Sequence, residues 1–224
     1  MIYITGDTHG ELVRFSNQYI PDIESFTDKD YIIVCGDFGF IYHDDLEEKK
    51  ILDYLETRPF NILFCDGNHE NFDALYKYPK ELWNGGYVHR IRKNVLHLMR
   101  GQVFDIDGKK VFSMGGALSI DRYMRTLGRS YWKQEIPEKA EYQQARENLE
   151  KVNNTVDVIV THTAPLEITK LLGGHEDPHE KDLLWFLKWV MENVNYEKWF
   201  FGHWHLDKTV TYKMFAVSEK IHKI

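Results

Sequence analysis

The sequence predicts an α/β fold in which buried strands and amphipathic helices alternate along the chain. Five apolar runs have the length and composition of buried strands, and a short polar motif follows each of them. Segments with helical periodicity lie between several of these strands. The strand runs are IYIT at 2–5, YIIVC at 31–35, NILFCD at 61–66, DVIVT at 157–161 and KWFF at 198–201.

The helices follow from apolar residues that recur at three- and four-residue intervals. The clearest case is the last predicted helix, in which Leu183, Leu184, Phe186, Leu187 and Val190 lie on or near one face. In chain order, the predicted helices are Glu11–Tyr19, Leu46–Thr57, Asn71–Tyr78, Glu138–Val152 and Lys181–Val194.

A region of short strands interrupts this alternation in the middle of the chain. Val95–Met99, Gln102–Ile106 and Lys110–Met114 predict a three-stranded meander, and Asp107–Gly108 has the composition of a tight hairpin turn. Further strands are expected in Lys208–Phe215 and the short apolar tail.

Length and composition limit the class of protein. The 224 residues favour a single domain over 1–224 with one well-buried core. The formal charge of −7 argues against general nucleic-acid binding through a diffuse basic surface. Cys35 and Cys65 each end an apolar run, so we expect buried thiols and no disulfide. Neither a signal peptide nor a membrane-spanning run is evident, which favours the cytoplasm and gives no sign of a membrane partner.

The five polar motifs carry the residue types that bind metals. They are GDTHG at 6–10, GDFG at 36–39, GNHE at 67–70, THTAP at 161–165 and GHWH at 202–205. Together they supply seven candidate ligands, namely Asp7, His9, Asp37, Asn68, His162, His203 and His205. A mixed oxygen and nitrogen set suits manganese, iron, zinc or nickel better than calcium or magnesium. Seven ligands exceed one tetrahedral ion, so we expect two ions that share a bridging carboxylate.

Each motif has a simpler interpretation when it is taken alone. A Gly-Asp or Gly-His pair after a strand is commonly only a turn, and a lone Asp-X-His is more often a solvated loop. Five such motifs, each directly after an apolar strand, favour the binuclear site.

The ordered motif set resembles the calcineurin-like metallophosphoesterase superfamily, in particular small bacterial or phage-type members. This resemblance implies a four-layer αββα sandwich, with two mixed β-sheets flanked by helices and the metals at the carboxyl ends of the strands. By motif position, Asp37 would bridge the two ions. One ion would be held by Asp7, His9 and His205, and the other by Asn68, His162 and His203.

The resemblance also assigns His69 as the catalytic residue, which would stabilise charge and protonate the leaving oxygen without binding metal. The alternative is a residue that only orients Asn68. In related protein Ser/Thr phosphatases an Asp of the second motif pairs with this histidine, but Phe40 stands at that position here. Asp44 and Asp45 are therefore the candidate partners of His69.

Two loops outside the motifs contain further polar residues. Gly115–Trp132 carries Arg122, Arg125 and Arg129, whose forked donors suit phosphate oxygens, although a solvated surface loop is the alternative. Gly173–Asp182 is rich in His and acidic residues, and we expect a loop before a helix rather than a third metal site.

These observations predict a metal-dependent phosphoric ester hydrolase. A hydroxide that bridges two divalent ions would attack phosphorus, and manganese is the expected metal. A phosphomonoesterase is expected, because the arginine loop could bind a dianionic phosphate. The alternatives are a phosphodiesterase acting on cyclic nucleotides or short nucleic acids and, less favoured, a non-catalytic scaffold. The partner would be a phosphorylated small molecule, nucleotide or phosphopeptide; the natural substrate, the oligomeric state and the pathway stay open.

Overall fold

The computed structural model describes residues 1–224, in which thirteen strands and five α-helices are arranged as two mixed β-sheets with packed helices. The helices are α1 (Leu46–Glu56), α2 (Phe72–Leu75), α3 (Lys139–Lys151), α4 (Leu166–Leu171) and α5 (Lys181–Asn193). The strands are β1 (Ile2–Thr5), β2 (Tyr31–Cys35), β3 (Asn61–Cys65), β4 (Lys80–Trp83), β5 (Gly86–Arg92), β6 (Val95–Leu98), β7 (Gln102–Ile106), β8 (Lys109–Met114), β9 (Val158–Thr161), β10 (Lys198–Phe201), β11 (Lys208–Thr209), β12 (Met214–Ala216) and β13 (His222–Lys223).

Each sheet has four parallel strands at its centre and antiparallel strands at its edges. The first sheet has the order β13-β1-β2-β3-β6-β5-β4, and β1, β2, β3 and β6 are parallel. The second has the order β11-β12-β10-β9-β8-β7, and β12, β10, β9 and β8 are parallel. The predicted α/β class and the two mixed sheets are therefore confirmed.

Three apolar layers hold the sandwich together, because side chains alternate between the two faces of each strand. In β2, Ile32 and Val34 pack toward α1 and α2, whereas Ile33 and Cys35 pack between the sheets. The second sheet buries its outer face against α3, α4 and α5. Helices thus cover both outer faces, as the predicted four-layer sandwich requires.

Two expectations for the elements were wrong. Glu11–Tyr19 forms no α-helix but a single 3₁₀ turn at Leu12–Phe15, after which Ser16 returns to extended backbone. The buried Arg14 in this turn donates to Thr5 Oγ1 at 2.7 Å and to the Gly6 carbonyl at 3.2 Å. These long-range hydrogen bonds fix the segment against β1, so local periodicity does not decide its conformation.

The central meander was the second error. β6 pairs with β3 and β5 in the first sheet, whereas β7 and β8 form a hairpin in the second. The chain crosses from one sheet to the other at Arg100 and Gly101. The predicted Asp107–Gly108 turn of the β7–β8 hairpin is present, with positive φ at both residues. The hairpin of β4 and β5, which turns at Asn84–Gly85, was not predicted.

The other predicted helices are present, with α2 shorter than expected, and α4 was missed. Asp45 caps α1 by accepting hydrogen bonds from the amides of Glu47 and Glu48, both at 2.9 Å. Both cysteines are buried free thiols, as expected. None of the helices combines the length and the apolar character that a membrane crossing requires.

Candidate metal centre

All five motifs lie at the carboxyl ends of parallel strands, at one edge of the sandwich. The first three follow the neighbouring strands β1, β2 and β3, and the last two follow the neighbouring strands β9 and β10. Five of the seven predicted ligands have a positive φ, which is uncommon outside glycine and marks sharply folded loops. They are Asp7 (46°), His9 (45°), Asp37 (50°), His203 (67°) and His205 (48°).

The first donor group consists of Asp7, His9, Asp37 and His205, which offer four ligand atoms within 4.8 Å of one another. His9 Nε2 lies 3.3 Å from His205 Nε2 and 3.8 Å from Asp37 Oδ2. His205 Nε2 lies 3.9 Å from Asp7 Oδ1. Asp7 Oδ2 is buried without any hydrogen-bond partner, which is costly unless a cation satisfies it. This group fits a divalent ion.

The second donor group consists of Asp37, Asn68, His162 and His203. Asn68 Oδ1 lies 3.0 Å from both His162 Nε2 and His203 Nδ1, and Asp37 Oδ1 lies 3.3 Å from His162 Nε2. The structure thus brings all seven predicted ligands together. Asp37 belongs to both groups through its two oxygens, which is the geometry expected of a bridging carboxylate.

Hydrogen bonds orient several of these side chains. The Cys35 carbonyl accepts from His162 Nδ1 at 2.8 Å, which turns Nε2 toward the donor group. Burial opposes protonation of His162, but Asp37 outweighs it and raises the pKa of His162 to about 10, so an ion at Nε2 would have to displace a proton. The amide of His203 donates to Asp7 Oδ1 at 2.9 Å, and the amide of His69 donates to Asp37 Oδ1 at 2.8 Å. Hydrogen bonds from residues of the site therefore connect the motif loops to one another.

Glu70 was not predicted to have a role, yet it ties two motifs together. Its carboxylate is fully buried and accepts from the amides of Phe38 at 2.8 Å and Gly67 at 2.7 Å. The only sequence signal for this residue is its place in the GNHE motif.

Burial and neighbouring charges shift the pKa values of the donor residues. Burial raises the pKa of Asp7. Burial also opposes ionisation of Asp37, but the adjacent His162 outweighs it and holds the pKa of Asp37 well below its usual range. Burial, together with His162, lowers the pKa of His203 to about 3. His203 is thus neutral at physiological pH, the state in which it can bind a metal.

His69 lies beside the first donor group, with its ring centroid 5.3 Å from that of His9. No carboxylate bonds to the His69 ring, so the predicted partners Asp44 and Asp45 were wrong. Asp45 caps α1, and Asp44 forms an ion pair with Lys49 at 3.0 Å. Both acidic residues therefore interact at the start of α1 rather than with His69.

Arg125 takes the place beside His69 instead. Its guanidinium lies against the imidazole, with Nη1 3.5 Å from Nδ1 and Nη2 3.4 Å from Nε2. Asp121 Oδ1 accepts from Arg125 Nε at 2.6 Å and holds the guanidinium there. Burial, with a contribution from Arg125, lowers the pKa of His69.

The other two predicted arginines are not at the centre. Arg122 lies 3.8 Å from Asp177, and Arg129 is exposed without an ion pair. A cavity of about 140 Å³ adjoins the centre and is lined by His9, Gly39, Tyr42, His43 and His69. Gly173–Asp182 contains no close group of three metal-binding side chains, and it leads into α5 as expected.

A family profile described as calcineurin-like phosphoesterase matches residues 1–207. The chain belongs to the calcineurin-like phosphoesterase family. Members are binuclear metal-dependent hydrolases that act on phosphorylated substrates. The donor groups described above are the part of this chain that fits such a metal pair.

A comparison with curated proteins gave no match. Among solved structures, a protein of unknown function from Aquifex aeolicus is similar, with 17% identity and a TM-score of 0.33 over 74% of this chain and 79% of that chain. A sulfate thiohydrolase from Thermus thermophilus, in complex with glycerol, has 10% identity and a TM-score of 0.44 over 95% of this chain and 38% of that chain. Likeness at this level does not identify a substrate.

Proposed function

We propose that this protein is a binuclear metal-dependent phosphomonoesterase whose catalytic domain comprises residues 1–224. The proposal rests on one observation: seven donor side chains converge, Asp37 is shared by both groups, and His69 and Arg125 lie beside them. Asp7, His9 and His205 would hold one ion, and Asn68, His162 and His203 would hold the other. Manganese is the first choice of metal, and iron, zinc and nickel are alternatives because the donor set mixes oxygen and nitrogen.

The ions, when bound, supply the positive charge that activates water and stabilises the phosphoryl oxygens. His69 would donate a proton or a hydrogen bond to the leaving oxygen, because it lies beside the first donor group without belonging to it. Arg125 would bind the remaining phosphate oxygens with its forked donors. Together, a cation and a proton donor on the same side of the site favour a dianionic monoester.

The substrate class that we propose is a phosphorylated small molecule, nucleotide or phosphopeptide. The two buried free thiols suit a reducing compartment, and we propose the cytoplasm. A phosphodiesterase and a non-catalytic scaffold are the competing functions that the following experiment separates.

The experiment measures bound metal and hydrolysis of p-nitrophenyl phosphate and bis(p-nitrophenyl) phosphate after reconstitution with Mn²⁺. The wild type should bind two ions and hydrolyse the monoester faster. His69→Ala should keep both ions and lose about 10²- to 10⁴-fold in kcat, as expected for a lost general acid. His175→Ala is the matched control, because this exposed histidine lies outside the donor groups.

Each competing function has its own result. Faster hydrolysis of the bis ester would indicate a phosphodiesterase. Two bound ions without turnover of any ester in a broad panel would indicate the scaffold. Loss of metal from His69→Ala would show that His69 orients Asn68 rather than acting in catalysis.

A further inference from the structure

The side-chain amide of Asn68 can bind an ion only in one of its two orientations. Its Oδ1 faces His162 Nε2 and His203 Nδ1, each at 3.0 Å. Rotation by 180° would place the NH₂ group there, which has no lone pair to offer a metal. The second donor group therefore requires a contact that selects the orientation with the oxygen inward.

Ser119 makes that contact. The Nδ2 of Asn68 donates to Ser119 Oγ at 3.2 Å, and Ser119 is buried at 1% exposure. The hydroxyl oxygen is thus the acceptor that distinguishes the NH₂ group from the carbonyl oxygen. Neither Ser119 nor its neighbours in the chain carry a ligand of either donor group.

Glu135 in turn holds Ser119 in place. This carboxyl is buried at 2% exposure and accepts from the Ser119 amide at 3.1 Å. The Ser119 side chain also lies close enough to this carboxyl to lower its pKa, against the larger opposing effect of burial. A carboxyl on this side of Ser119 can accept the hydroxyl proton, which leaves an oxygen lone pair of Ser119 for the Asn68 amide.

Backbone contacts hold this segment at the motif loop. Glu135 Oε1 accepts from the amide of Trp132 at 3.2 Å, and the Gly116 amide donates to the Asp66 carbonyl at 2.9 Å. Asp66 stands two residues before Asn68. The Gly116–Asp66 hydrogen bond thus joins the segment after β8 to the loop after β3, close to both Ser119 and Asn68.

We propose that Ser119 is a positioning residue, which with Glu135 holds the Asn68 oxygen toward the second metal ion. This inference rests on the proposed function only in taking the second donor group as a metal site. It gives the start of the Gly115–Trp132 loop a role separate from substrate binding by Arg125.

The test is titration of the metal-free full-length protein with Mn²⁺, without substrate, followed by calorimetry and metal analysis. Ser119→Ala should lower the affinity of one of the two ions about 10- to 100-fold, the usual effect of losing a residue that orients a ligand. The other ion should bind as in the wild type. A purely structural role would instead weaken both ions together and lower the melting temperature.

Ser113→Ala is the matched control, because Ser113 is also fully buried but its Oγ donates to the Leu98 carbonyl at 3.4 Å. It should bind both ions with wild-type affinity. Wild-type affinity for both ions in Ser119→Ala would overturn the proposal.

Conservative variants decide the matter if Ser119→Ala does not fold. Ser119→Thr keeps the hydroxyl and should bind the second ion within about 3-fold of the wild type, whereas the weak acceptor of Ser119→Cys should not. Equal affinity in these two variants would also overturn the proposal. The readout is metal binding alone, so a wild type that binds two ions but hydrolyses no ester would refute the proposed function and leave this inference standing.

Discussion

Asp37 is the residue on which the two donor groups depend most directly. Its oxygens face His9 and His162, and the His69 amide donates to it. Gly67 leaves the space that this carboxylate occupies, because a Cβ at Gly67 would lie 2.1 Å from Asp37 Oδ1 and 2.5 Å from the Asp37 amide. The glycine of the GNHE motif is therefore needed for close approach between two loops.

Gly67→Ala should displace the Asp37 carboxylate and abolish binding of both ions. Metal analysis after dialysis measures the loss, and circular dichroism checks that the fold persists. Gly108→Ala is the control, since a Cβ there meets nothing within 4 Å. Because Gly108 has a positive φ, this substitution should lower the stability by about 1–2 kcal/mol but leave metal binding unchanged. Two tightly bound ions in Gly67→Ala would contradict the prediction.

Arg125 is the arginine whose removal should change substrate binding. Arg125→Ala should lower kcat/KM for a phosphate monoester about 10- to 100-fold, as expected from losing one or two hydrogen bonds to a charged group. Arg129→Ala should leave kcat/KM unchanged, because Arg129 is exposed and unpaired. Steady-state kinetics compare the two variants. Equal losses would show that the effect is one of general surface charge.

At this scale, the sequence was sufficient to select the seven residues that converge, but not the residues that support them. Asp7, Asn68 and the other predicted ligands follow apolar strands directly, so a local pattern selects them. Ser119 contacts Asn68 across 51 positions, and Arg125 contacts His69 across 56. Without the fold, no local signal separates Ser119 from other loop serines or Arg125 from Arg129.

At the scale of elements, the central parallel strands were predicted, but the β4–β5 hairpin and the pairing of β6 with β3 and β5 were not. The central strands are apolar runs that end at glycine-containing motifs, and both features can be recognised in the sequence. The crossing between β6 and β7 depends instead on Arg100, which is buried and donates to Asp66 Oδ2 from Nε at 2.8 Å. His97 Nε2 lies 3.0 Å from Asp66 Oδ1. These contacts join residues 31 and 34 positions apart, which local periodicity cannot reveal.

Asp66→Asn should destabilise the protein by about 3–5 kcal/mol, because it leaves the buried Arg100 without its counter-charge. Urea denaturation of the metal-free protein measures the free energy of unfolding. Asp53→Asn is the control, since Asp53 pairs with Arg92 at an exposed position and should contribute less than about 1 kcal/mol. A similar small loss in both variants would mean that Arg100 finds another partner.

At the scale of the whole molecule, the sandwich keeps a further carboxyl group buried at the start of α5. Glu180 precedes α5, is 8% exposed and accepts from the Leu118 amide at 3.1 Å. Burial raises its pKa to about 7 from an ordinary value of 4.5. The folded protein therefore holds this proton more tightly than the unfolded chain does.

The sign of the pH dependence follows from this difference. The contribution of Glu180 to stability is complete below pH 4.5 and is lost as the pH rises to about 7. The loss should amount to about 3 kcal/mol, at 1.36 kcal/mol for each pKa unit. Glu180→Gln should remove it, whereas the exposed Glu150→Gln should not. Unfolding of the metal-free protein across this pH range measures both, and parallel curves for Glu180→Gln and the wild type would contradict the assignment.

Both sheets contribute to each donor group, three residues to one in the first group and two to two in the second. Asp7, His9, Asp37 and Asn68 follow strands of the first sheet, whereas His162, His203 and His205 follow strands of the second. Each donor group therefore spans the gap between the sheets, and the apolar layer that contains Ile33, Leu63 and Val160 acts as a spacer that sets its width. A substitution deep in that layer can thus change the distances between the donor atoms without contacting any of them.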